Sequence, residues 1–117
     1  MADNLRNYDL TYLEELSAGD SGFVRSIITQ FVSEAPLAIK KIKAYVEQRK
    51  WLDLNYEIHK FGSNLAFIGL NDIKNEVSKV EISSKNLSDL AEIPVLVDII
   101  VQRCELAIAS LTKDFEL

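Results

Sequence analysis

Apolar residues recur at three- and four-residue spacings along almost the whole chain, and only four glycines and two prolines interrupt them. That spacing is the repeat of a helix face, and so few turn-formers cannot serve the many reversals of an all-β domain. The fold class expected is therefore all-α. At 117 residues, with 48% hydrophobic content, the chain has the size and apolar content for a single domain over residues 1–117.

Punctuation divides this helical pattern. Asp9 is positioned to cap a short helix through Tyr12, Leu13 and Leu16, which Gly19 closes. Asp20 or Ser21 caps a second segment whose stripe runs Phe23, Ile27, Phe31, Ala35, Ala38, Ile42, Tyr45 to about residue 49. Pro36 lies inside it and predicts either a kink or a fresh start, and the continuous stripe favours the kink. A third helix runs from Trp51 to Ile68 and ends at Gly69. Asn71 can cap a fourth through Ile73, Val77 and Val80, which fades near SSKN, and residues 86 to 93 read as a connection. Pro94 suits the first turn of a last helix carrying Leu96, Ile99, Ile100, Cys104, Ala107, Leu111 and Phe115. Four long amphipathic helices joined by short links bury their stripes most simply as an antiparallel up-down-up-down bundle, with the short N-terminal helix as an extra.

Several function classes recede on composition. The single cysteine, Cys104, allows no internal disulfide and reads as a small apolar filler, and no Cys/His cluster is spaced for zinc. A reducing, cytoplasmic setting fits. The polar start MADNLRNYDL has neither the basic flank nor the apolar run of a signal peptide, and no apolar stretch reaches the roughly 20 residues of a membrane span. A formal charge of −5 opposes attraction to nucleic acid or anionic membrane, so a protein or small-molecule partner is expected. The GxxxxGK[ST] and GxGxxG phosphate loops are both absent, so ATP binding is not expected.

Within the third helix sits the stretch YEIHKFGSNLAFIGL, with the only histidine of the chain, His59, three residues before a glycine. At about 100° per residue, Trp51, Leu54, Ile58, Phe61, Leu65 and Ile68 share one sector and form the core stripe. Asp53, Glu57, Lys60 and Asn64 share a second, solvated one. His59 falls in the third, and its imidazole is predicted to point outward. Gly62, Ser63 and Ala66 surround it with small side chains, Asn55 shares its sector, and Leu52, Tyr56 and Phe67 edge that sector with more apolar area than a solvated face needs. Gly62 costs roughly 0.5 to 1 kcal/mol in a helix interior relative to alanine. Access of another protein to the ring would explain that cost.

These residues resemble the histidine-containing phosphotransfer (HPt) domains of two-component phosphorelays. In the resemblance, which covers about residues 52 to 73 in motif, His59 matches the phosphoacceptor, Phe61 the apolar position, Ser63 the small position and Gly69 the closing glycine, while Leu70 and Ile73 match the apolar start of the next helix. The chain departs from it at Gly62, where the family usually carries lysine. Lys60 is rotated by about 100° from His59 and would have to curl back to serve instead.

The resemblance implies a phosphoryl carrier and not an enzyme with kinase activity of its own. His59 would take a phosphoryl group from a receiver-domain aspartyl phosphate and pass it to another receiver aspartate, without cofactor or bound metal, the receiver supplying metal ion and lysine. Lys60, Gly62 and Ser63 would support the site. Leu52, Asn55, Tyr56, Ala66 and Phe67 would meet the partner, a response-regulator receiver or a hybrid sensor kinase. Polar outer faces favour a monomer. The alternative is a degenerate HPt-like adaptor that binds receiver or kinase domains without phosphotransfer.

Overall fold

The computed structural model describes residues 7–117, which are helical with no strand among them. Five α-helices follow one another: α1 (Thr11–Leu16), α2 (Ser21–Glu47), α3 (Trp51–Phe67), α4 (Lys74–Asn86) and α5 (Ile93–Asp114), with single 3₁₀ turns at Asn71–Ile73 and Leu90–Glu92 leading into the last two. Each long helix packs on the next in sequence, and α5 returns to α2, so the four close a ring around one core. Leu13, Ile28, Ile42, Leu54, Ile58, Val80, Ile100, Cys104 and Leu111 are among the side chains fully enclosed there. Burial pushes the Cys104 thiol up to about 12, which keeps it a protonated apolar filler.

The element ends follow local chemistry. The Asp20 carboxylate accepts the Phe23 N–H at 3.1 Å and so caps α2. Asp9 stands one residue outside the cap position of α1, yet its Oδ1 accepts from the Thr11 N–H at 2.9 Å and the Thr11 hydroxyl at 2.7 Å. Those two bonds, the hydroxyl's first, hold the Asp9 carboxyl below its ordinary value. α2 continues through Pro36 as one helix, with the proline exposed.

Three expectations need correction. The buried stripe of α2 is Val24, Ile28, Phe31, Ala35, Ile39 and Ile42, so that Phe23 is left exposed and Ile27 and Ala38 only partly covered. Phe31, Ala35 and Ile42 are buried as the spacing predicts, while elsewhere the buried residue is the next one along, Val24, Ile28 and Ile39, because α3 and α5 both cover α2. Ile99 of α5 is likewise exposed. Asn71 makes no side-chain cap; it opens a 3₁₀ turn that precedes α4. The connection after Asn86 lies where the sequence places it, and it is short, with Leu87 and Asp89 in left-handed backbone conformation and a 3₁₀ turn leading into α5.

Gly69 ends α3 with φ +72°. A side chain there would be strained, and it would also overlap the backbone of Asp9, whose N–H donates to the Ile68 carbonyl at 2.9 Å. The segment before α1 thus lies directly on the glycine. Arg103 of α5 donates to the Asn7 carbonyl at 2.9 Å and to Asp72 at 2.7 Å, tying the same segment to the α3–α4 link.

Candidate functional site: an exposed histidine between two helices

The register of α3 against α4 is fixed by three contacts. The Asn55 side-chain amide donates to the Glu81 carbonyl at 2.7 Å, His59 Nδ1 lies 3.0 Å from Glu81 Oε1, and Gly62 faces Val77. Falling numbers on α3 meet rising numbers on α4, so these helices run in opposite directions.

His59 points outward as expected, with 73% of its side chain exposed. Its Nδ1 is nevertheless engaged. A carboxylate only accepts, so the 3.0 Å contact has Nδ1–H donating to Glu81 Oε1, which leaves the lone pair of the neutral ring on Nε2. Glu81 was not among the residues singled out from the sequence. It stands 22 positions away on another helix, and helical periodicity gives no register between helices.

A groove of about 330 Å³ runs beside the imidazole between α3 and α4, lined by His59, Ser63, Ala66, Lys74, Ser78 and Glu81 among others. Ser63 turns its hydroxyl back onto the His59 carbonyl at 3.4 Å. Leu52 and Tyr56, exposed by 69% and 66%, continue the strip of His59 toward the start of α3. Leu52, Tyr56, His59, Ser63 and Ala66 therefore form one open stripe, as the sequence suggested.

The other predicted members go elsewhere. Asn55 is half-buried and spends its amide on the α4 backbone. Phe67 stacks on Tyr12 of α1, ring centres 6.0 Å apart, on the α2 side of α3. Lys60 sits over the Tyr56 ring at 5.3 Å and 3.5 Å from Glu57, and it lines a separate groove of about 510 Å³ between α2 and α3. Glu57 itself, expected on a solvated face, is only 5% exposed, because α2 covers that edge of α3 and brings Lys41 to 4.0 Å. Gly62 has a structural reason as well: a Cβ there would come 3.1 Å from Val77 Cγ1, so its lack of a side chain lets α4 approach. Close packing against α4 therefore accounts for the glycine without a partner.

Comparison with protein-family models, with curated proteins and with solved structures finds no match for this chain. No helix among the described residues is long and apolar enough to cross a membrane.

Proposed function

We propose that this chain is a phosphorelay carrier of the HPt kind, which accepts a phosphoryl group on His59 from a receiver-domain aspartyl phosphate and returns it to another receiver aspartate. The observation that carries the reading is the state of the imidazole: exposed, with Nδ1–H held by Glu81 and Nε2 open to a partner. The Nε2 lone pair attacks phosphorus, the N–P bond forms as the acyl-phosphate O–P bond breaks, and the receiver aspartate leaves as a carboxylate. The ring gains positive charge in that step, and Glu81 on Nδ1–H stabilises it. On the return, a receiver carboxylate oxygen attacks, the P–N bond breaks, and the imidazole leaves neutral. No base is needed, because no proton leaves the ring in either direction.

The stripe of Leu52, Tyr56, Ser63 and Ala66 is the docking surface for the receiver on this reading, and the protein works in the cytoplasm as a monomer. The ring of long helices, joined by links of a few residues, supports an up-down-up-down arrangement of α2 to α5.

The adaptor reading draws on one specific feature. Position 62 lies against Val77 and carries no lysine. Incubation with a phosphorylated receiver and magnesium separates the two: the carrier takes up acid-labile, base-stable phosphate that His59→Gln abolishes while receiver binding persists. Binding without uptake by the wild type would instead establish the adaptor.

A further inference from the structure

The phosphoryl group on Nε2 would be a dianion beside a carboxylate, since Glu81 is bonded to the same ring. Some cation must offset this, and Lys60, the nearest in sequence, is turned to the other groove, paired with Glu57. The α4 face opposite His59 carries two more. Lys74, Ser78, Glu81 and Lys85 recur at the spacing of a single helical strip, and both lysines are exposed with no ion pair among the described residues.

Direction distinguishes them. Side chains on a helix lean toward its N-terminus. His59 therefore leans toward the start of α3, which is the side where α4 ends, because the two helices are antiparallel. Lys85, exposed one turn past Glu81 on that side and turned by about 40° from it, is directed back toward the imidazole by the same rule of helix geometry. Lys74 stands roughly 10 Å from Glu81 along α4 in the other direction, near the level of Ala66, and leans away. It lines the far end of the groove that His59 opens.

We infer that Lys85 is the residue whose ammonium meets the phosphoryl group on His59, supplying from α4 the positive charge that α3 does not present. The inference rests on the carrier reading above. Its free side chain and four-carbon stem let the ammonium follow the group as it arrives and leaves, which a lysine locked in an ion pair could not do.

A small phosphodonor tests this without a receiver's own cations. With potassium phosphoramidate, wild type should phosphorylate on His59. Lys85→Gln should slow that labelling about tenfold, Lys85→Arg should restore most of the rate, and Lys74→Gln should stay within about twofold of wild type. The second ionisation of the bound phosphoryl group, followed by ³¹P NMR against pH, should move up in Lys85→Gln, a change that a purely structural role would not cause. Wild-type rate and an unmoved titration in Lys85→Gln would overturn the assignment while leaving the carrier reading intact. An equal loss in Lys74→Gln would overturn it too, showing a diffuse field in place of one residue. Failure of the wild type to label would count against the carrier reading itself.

Discussion

Gly62 shows how one residue answers to two helices. Its place beside His59 suggests room for a partner, yet the atom that a side chain would meet first is Val77 Cγ1 at 3.1 Å, inside the protein. Gly62→Leu should therefore cost about 1 to 3 kcal/mol by overpacking. Pairing it with Val77→Ala should recover part of that loss in a double-mutant cycle read by urea unfolding, whereas additive losses would mean that the two sites do not touch. What could be read from the sequence at this level followed from a helix's own periodicity: the core positions Leu54, Ile58, Phe61 and Leu65, and the outward His59. Glu57 was misread because it sits at the edge of the stripe, where coverage by α2 decides burial. Glu81 was invisible because the contact that makes it matter joins two helices.

The helices were legible where capping chemistry is local and obscure where tertiary contact sets the boundary. Asp20 and Gly69 mark ends that the sequence announces, although Gly69 answers to the Asp9 backbone as much as to its own φ of +72°. The 3₁₀ turns before α4 and α5 have no comparable signal, and the stripe of α2 holds at Phe31, Ala35 and Ile42 but shifts by one residue at Val24, Ile28 and Ile39, because two neighbours share its face. Asp9 gives a test in acid. Its folded carboxyl is depressed, so its contribution is complete above the unfolded value of 3.8 and is lost as pH falls through the depressed folded value. Asp9→Asn should accordingly be less stable than wild type near neutrality, and the gap should narrow on acidification below that range. Thermal unfolding of both proteins across pH would show it, and a constant gap would contradict the role of the Thr11 bonds.

Across the molecule, α3 stands between two grooves, and the histidine opens the smaller: about 330 Å³ shared with α4, against about 510 Å³ shared with α2. On the proposed reading, chemistry and cavity size part company because a phosphoryl group passed between proteins needs an exposed nitrogen more than an enclosing pocket. The −5 charge opposes attraction to nucleic acid, in keeping with the protein partner that the proposal assigns to the strip around His59. The proposal turns on which imidazole nitrogen is free. The direct measurement is ¹⁵N–³¹P correlation NMR on protein labelled at histidine and phosphorylated by a receiver: with Nδ1–H on Glu81, phosphorus should couple to Nε2, and Nδ1 should keep its proton. Phosphorus on Nδ1, or a phosphorylated protein whose His59 spectrum is unchanged, would contradict it.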